Sequence, residues 1–205
     1  MFMNLSGHTK PFAVLGHPIG HTLSPVMHNA AIQAIGMDAI YTAYDVAPEH
    51  LMEALNAMAK MGFCGVNLTI PLKETAFRGL DNLDQSARRL GSVNTIEFLD
   101  KGLKGHSTDG KGFLSAINEA FGSDVRGLSV FMLGSGGAGR AVALACAEAG
   151  AAAITVTDAE QNRAEKLAEE IKTAFPETET DALPPDRKKW ENISRDSDLV
   201  VQATP

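Results

Sequence analysis

The stretch LSVFMLGSGGAGRAVALACAEAGAAAITVTD, residues 128–158, constrains the fold more than any other part of the chain. An apolar run meets a glycine loop, an alanine-rich helical segment follows, and a second apolar run ends at Asp158. Strand, loop, helix and strand within about 30 residues make one parallel βαβ unit. Gly134, Gly136 and Gly139 spell GxGxxG. That pattern alone is weak, but here it leaves a strand and opens a helix, as its mechanism requires. Gly134 permits the tight turn, Gly136 lets a pyrophosphate approach the backbone, and Gly139 lets helix and strand pack closely. Ser135, Gly137 and Ala138 complete a loop and helix start whose N–H groups suit phosphate.

Asp158 follows Gly139 by 19 residues and ends the second strand. The fold places its ribose-binding acid there. An N-cap for a helix starting near Gln161 is the competing role, and the two are not exclusive.

The first half alternates strands and helices in the same way. PFAVLG (11–16), AIYTAYDV (39–46) and CGVNLTI (64–70) read as strands, with SPVMHNAAIQAIG (24–36) and EHLMEALNAMAKMG (49–62) as helices. Leu51, Leu55, Met58 and Met61 form the apolar stripe of the second helix. SVNTIEFLD (92–100) reads as a strand turning into a further short one, and 110–121 as a helix. After the nucleotide motif come a helix (164–175), an irregular PETETDALPPDRKKW, and a buried strand DLVVQAT (198–204). Such alternation predicts an α/β fold: an N-terminal α/β substrate domain with a mostly parallel sheet, then a Rossmann-type dinucleotide-binding domain. We place the domains at 1–112 and 113–205. The second shows only three strands of an expected six or so, so a longer parent protein is expected, truncated here at the C-terminus.

Composition excludes several classes. The net charge is −7, with 7 basic against 12 acidic residues after residue 155, so there is no basic stripe for nucleic acid. No apolar run approaches a membrane span, and MFMNLSGHTK lacks the long apolar core of a signal peptide. A cytoplasmic location is expected, with Cys64 and Cys146 as buried free thiols.

Four segments place polar side chains beside glycine or proline at the ends of elements: GHPIGHTLSPVMHN (16–29), GVNLTIPLKE (65–74), GSVNTI (91–96) and HSTDGKGF (106–113). Strand C-termini are where an open α/β sheet builds its site. Thr22, Ser24, Asn67, Thr69, Asn94 and Asp109 supply hydroxyl, amide and carboxylate groups suited to a polyhydroxylated substrate. Lys73, just past NLTIP, is the strongest candidate for donating a proton to a carbonyl becoming an alcohol. Read singly, Lys73 is equally a solvated helix-start lysine, Ser24 an N-cap before Pro25, and Asp109 a cap for the helix after Gly110. His17, His21 and His28 lack companion ligands at metal-binding spacing, and no metal site is expected.

Together HPIGHTLSPVMHN, VNLTIPLKE, GSVNTI, STDGKGF and GSGGAGRA resemble the shikimate dehydrogenase family over essentially the whole chain. The resemblance implies a two-domain enzyme that reversibly reduces 3-dehydroshikimate to shikimate, toward chorismate and the aromatic amino acids. It also implies Lys73 and Asp109 as the catalytic pair, with Thr22, Ser24, Thr69 and Asn94 holding the substrate's carboxylate and hydroxyls. The chain departs from the family's SxSP at Thr22, which opens the question of quinate as a substrate. Alternatives are a quinate/shikimate dehydrogenase of quinate catabolism and a non-catalytic shikimate-binding homologue. NADP-using members carry Asn-Arg-Thr where this chain has Asp158, Ala159 and Glu160. Two acids and no arginine favour NAD, while Arg163, one turn on, leaves NADP open. A monomer or homodimer with a small-molecule substrate is the expected assembly.

Overall fold

A computed structural model describes residues 5–204. The chain divides between Ser107 and Thr108 into two compact units, each built around one sheet.

The first unit runs β1 (Lys10–Gly16), α1 (Ser24–Ala34), β2 (Ala39–Asp45), α2 (Leu51–Lys60), β3 (Gly65–Leu68), α3 (Leu72–Gly79), α4 (Gln85–Leu90), β4 (Thr95–Leu99) and β5 (Gly102–His106). The sheet order is β2-β1-β3-β4-β5. β1 pairs in parallel with both β2 and β3, because helical crossovers connect them. β4 lies antiparallel to β3, and β5 to β4. The short turn at residues 100–101 leaves β5 no other direction, and Gly102, at φ +92°, takes a backbone shape open to glycine.

Alternating side chains give this sheet two apolar faces. Leu51, Leu55 and Met58 of α2 pack with Leu15, Val66, Leu68 and Ile96 on one. On the other, Val14, Ile19, Ile32, Ala39 and Tyr41 form a smaller cluster under α1. Met61 was expected in the α2 stripe, but it falls at the helix's C-cap and is 65% exposed. An open apolar cavity of about 410 Å³ lies there, lined by Leu15, Tyr44, Val46, Met58, Met61 and Phe63 among others.

The second unit runs α5 (Asp109–Phe121), β6 (Ser129–Leu133), α6 (Gly137–Glu148), β7 (Ala153–Thr157), α7 (Gln161–Ala174), β8 (Glu179–Leu183), α8 (Arg187–Asp196) and β9 (Leu199–Gln202). Its four strands are all parallel, in the order β8-β7-β6-β9. That is the first part of a doubly wound nucleotide-binding sheet, with the direction of winding reversing between β6 and β9. α6 buries every residue from Ala141 to Ala147, mostly small side chains that let the helix lie close to the sheet.

Three expectations need correction. PETETDALPPDRKKW is not all loop: it holds β8 and the start of α8, so this unit has four strands and not three. β8 escaped notice because it is an edge strand, paired only with β7, and Glu179, Thr180 and Asp181 carry no apolar alternation. Cys64 is exposed, because its apolar segment begins in the turn ahead of β3. Cys146 is buried as expected, and burial pushes its thiol up to about 12. Among the described residues no helix is long and apolar enough to cross a membrane.

Leu55 is fully buried and Met61 is not. Leu55→Ala should therefore cost about 2–4 kcal/mol in urea unfolding, against about 0.5 kcal/mol or less for Met61→Ala. Equal costs would contradict the placement of α2.

Candidate functional site

In the first unit, polar candidates collect at the carboxyl edge of the parallel strands. β1 ends at Gly16, where a Cβ would lie 2.6 Å from Thr69 Cγ2 and 2.7 Å from Ile19 Cδ1. A larger residue at 16 would have to push aside the Thr69 and Ile19 side chains where the segment after β3 closes onto the end of β1. That closure is made by the Thr69 N–H donating to Leu15 O at 2.9 Å and the His17 N–H donating to Ile70 O at 3.1 Å. The motif prolines, Pro18 and Pro71, both follow cis peptide bonds.

Thr22 and Ser24 lie in the loop after β1 and the first turn of α1. The Thr22 hydroxyl accepts the Ser24 N–H and donates to the Ser24 hydroxyl, each at 3.2 Å. Ser24 is thus not the N-cap: Leu23 occupies that position, and the N–H of Ser24, the first helical residue, is satisfied by Thr22. The two hydroxyls sit side by side, half-buried, a geometry suited to gripping both oxygens of a carboxylate.

Thr69 and Lys73 follow β3. The Leu72 N–H donates to Thr69 O at 2.8 Å, turning the chain into α3, and Lys73 lies half-buried in its first turn. Asn94 reaches the same edge because β4 runs antiparallel and so begins where β3 ends. Its carbonyl accepts the Leu68 N–H at 2.8 Å, its N–H donates to His106 O at 3.0 Å, and the residue is 8% exposed. The Asn67 carboxamide is engaged within the fold: its oxygen accepts from the Tyr41 hydroxyl at 2.7 Å, and its nitrogen donates to Thr95 Oγ1 at 3.0 Å.

Asp109 opens α5 in the second unit. It stands at the first helical position, with Thr108 at the N-cap. Of the histidines, His17 pairs with Asp45 at 2.5 Å and His28 stacks on Tyr41 with ring centroids 4.1 Å apart.

The glycine loop of the second unit divides its labour in a measurable way. Gly134 sits at φ +100°, and a Cβ there would meet Ala203 C at 2.9 Å. A Cβ on Gly139 would lie 2.0 Å from the Gly134 carbonyl oxygen, so no side chain fits between helix and loop. Gly136 differs: its backbone is extended, and a Cβ there would meet nothing within 4 Å. The fold does not need glycine at 136, and the open backbone there leaves room for a ligand to approach. Gly137 and Ala138 follow in the first turn of α6, where helix N–H groups have no intrahelical partner. This loop fits a dinucleotide pyrophosphate.

Asp158 does not cap α7 either, as Glu160 holds that position. One carboxylate oxygen accepts from the Ser135 N–H at 2.7 Å and the Ser135 hydroxyl at 2.8 Å, and the other from the Glu160 N–H at 2.9 Å. The end of β7 is thereby clamped to the glycine loop. Burial pushes this carboxyl up, but those hydrogen bonds and the Arg163 charge outweigh it and hold it below the ordinary carboxylate range. With about four acceptor positions on a carboxylate, one remains for a ligand. Arg163 itself pairs with Glu160 at 3.1 Å.

Sequence reasoning missed Tyr41 and Thr95, which complete the network around Asn67 and Asn94. The available signal was Tyr41 itself, since a tyrosine inside an apolar strand needs a partner for its hydroxyl.

The comparisons with known proteins bear on this arrangement. The family model of the shikimate dehydrogenase substrate binding domain matches residues 14–96. An NADP(+)-named shikimate dehydrogenase of Methanopyrus kandleri is 41% identical over 203 residues, covering 99% of this chain and 70% of that protein. One of Methanothermobacter thermautotrophicus is 42% identical over 167 residues, 82% of this chain and 58% of that protein. The chain thus spans between about half and three quarters of these relatives' lengths. The crystal structure of shikimate 5-dehydrogenase from Listeria monocytogenes with shikimate and NAD has a TM-score of 0.87 at 30% identity, covering 100% of this chain and 71% of that one.

Two predictions follow from the loop. Gly139→Ala should destabilise the second unit by several kcal/mol in thermal or urea unfolding, whereas Gly136→Ala stays within about 1 kcal/mol yet weakens dinucleotide binding. Equal stability losses would contradict the division of roles. For Asp158, a depressed folded-state pKa gives stability that is present above the unfolded value of about 3.9 and lost as pH falls through the folded value. The stability gap between the wild type and Asp158→Asn should be widest near pH 7 and shrink from pH 5 to pH 2, read from urea midpoints. A gap independent of pH would contradict the ionised clamp.

Proposed function

Because this chain belongs to the shikimate dehydrogenase family, we propose that it carries out the reversible, nicotinamide-dependent reduction of 3-dehydroshikimate to shikimate. The observation that supports this most is the shared edge of the first sheet. Paired hydroxyls (Thr22, Ser24), a further hydroxyl (Thr69), a lysine (Lys73) and a buried carboxamide (Asn94) reach it from three different strands. A carboxylate, hydroxyls and a reacting ketone are the groups that such a set matches.

In this reading Thr22 and Ser24 take the substrate carboxylate, while Thr69 and Asn94 take ring hydroxyls. Lys73 delivers a proton to the oxygen as the ketone becomes an alcohol, and receives it back in the oxidative direction. Asp109 is assigned the carboxylate role of the pair on the strength of its motif. Gly134, Ser135, Gly136, Gly137, Ala138 and Gly139 form the pyrophosphate loop, and Asp158 takes the ribose. The nicotinamide cofactor, when bound, supplies or accepts the hydride. The protein works in the cytoplasm on a small-molecule substrate.

For the cofactor we favour NAD. Asp158 offers a carboxylate where a 2′-phosphate would be repelled, Ala159 offers no cation, and Arg163 is already paired to Glu160. The Listeria structure, which holds NAD, is consistent with this preference, while the NADP(+) names of the Methanopyrus and Methanothermobacter relatives point the other way. Asp158, Ala159 and Glu160 are what supports NAD for this chain.

Initial rates with shikimate and with quinate, each against NAD and NADP, test the reading. Shikimate with NAD should give the highest kcat/KM, and strong NADP preference would overturn the cofactor assignment. Lys73→Ala should lower kcat by about 10²–10⁴-fold and leave dinucleotide affinity unchanged. That affinity is read by energy transfer from Trp190, the single tryptophan, to the reduced cofactor. Unchanged turnover would remove Lys73 from the mechanism.

A further inference from the structure

Asp158, Glu160 and Arg163 place three charged side chains within one turn after β7, with Ala159 between the two acids. Their bonds separate them by role. The Asp158 carboxylate takes the Ser135 N–H, the Ser135 hydroxyl and the Glu160 N–H at 2.7–2.9 Å. An asparagine there keeps one acceptor oxygen and sets its NH₂ group against one of those two backbone N–H groups. The acid at 158 is therefore a requirement of the fold, whichever nucleotide binds beside it.

Glu160 and Arg163 are different. Their side chains are 65% and 57% exposed, and Arg163 Nη2 donates to Glu160 Oε1 at 3.1 Å. The backbone holds the two in register, because the Arg163 N–H donates to Glu160 O at 2.8 Å and the Glu160 N–H is bound to Asp158. The Arg163 charge also reaches Asp158, where it helps hold the carboxyl below its ordinary range. One guanidinium thus faces two carboxylates, and the turn keeps a net negative charge. An exposed pair three residues apart contributes little to stability. What it sets is the field met by a ligand at the end of β7.

We propose that Glu160 is the specificity-determining residue of the nucleotide site, excluding a 2′-phosphate by holding Arg163 and by adding a second negative charge beside Asp158. A free ribose hydroxyl brings no charge to this turn, whereas a 2′-phosphate brings nearly two. To reach the guanidinium, the phosphate must displace the Glu160 carboxylate and then lie close to it. Glutamine at 160 keeps the length and the backbone of the residue but removes both the competing anion and the repulsion. A unit charge within several ångströms of a dianion changes affinity by about tenfold even in water-like surroundings. The preference for NAD over NADP then rests on one exposed side chain that the fold does not need.

The proposal rests on the reading of this loop as a dinucleotide site with an NAD preference, and the test separates the two. Dissociation constants for NADH and NADPH are measured by energy transfer from Trp190 for wild type, Glu160→Gln, Arg163→Gln and the double variant. All four should unfold at the same urea midpoint, since both side chains are exposed. Glu160→Gln should bind NADPH about tenfold more tightly and NADH within about twofold of wild type. The double variant should return NADPH affinity to near the wild-type value, because no guanidinium is left to take the phosphate. Between about 0.02 M and 0.5 M salt the gain should shrink severalfold. Unchanged NADPH affinity in Glu160→Gln, a full gain in the double variant, or a gain indifferent to salt overturns the proposal while leaving the NAD reading in place. A wild type that binds neither nucleotide, or that prefers NADPH, overturns that reading and this proposal with it.

Discussion

Parallel pairing is the constraint on which the rest of the structure depends. β1 is flanked by parallel strands on both sides, and so is β6. Each connection between parallel strands must then return over a face of the sheet, and each of those strands delivers its following loop to the same edge. In the first unit that edge receives the hydroxyls of Thr22 and Ser24 after β1 and the Thr69–Lys73 segment after β3. In the second it receives the glycine loop after β6 and Asp158 after β7. Chemistry gathers at these edges because the topology offers no other place where several loops meet.

At both edges, glycines let the backbone close where a side chain would collide. Gly16 leaves room for Thr69 against the end of β1, and Gly139 leaves room for the Gly134 carbonyl against α6. Gly136 is the exception, since a Cβ there would meet nothing within 4 Å and the fold itself does not require glycine. Asp158 ties Ser135 to the β7 end, so the proposed ribose acid and the proposed pyrophosphate loop are held together.

Much of this was legible in the sequence. GxGxxG in its βαβ context predicted the second sheet, and the four polar segments do lie at the ends of elements, as expected. What was not legible follows one physical pattern. β8 is an edge strand with Glu179 and Asp181 exposed to solvent or nearly so, so it lacks the apolar signal that marks central strands. Caps were misplaced at Ser24 and Asp158 because helix starts are set by backbone geometry one or two residues away, here at Leu23 and Glu160. The Tyr41–Asn67–Thr95–Asn94 network was out of reach, since its members are adjacent only once β2, β1, β3 and β4 are laid side by side. Pairing in three dimensions carries no short-range signature.

The central claim is that the carboxyl edge of the first sheet holds shikimate. Amide chemical-shift mapping of the labelled chain during a shikimate titration tests it most directly. The account predicts saturable shifts concentrated at Thr22, Ser24, Thr69, Lys73 and Asn94. Shifts centred instead on the apolar cavity between β2 and α2, or no saturable shifts at all, would contradict it.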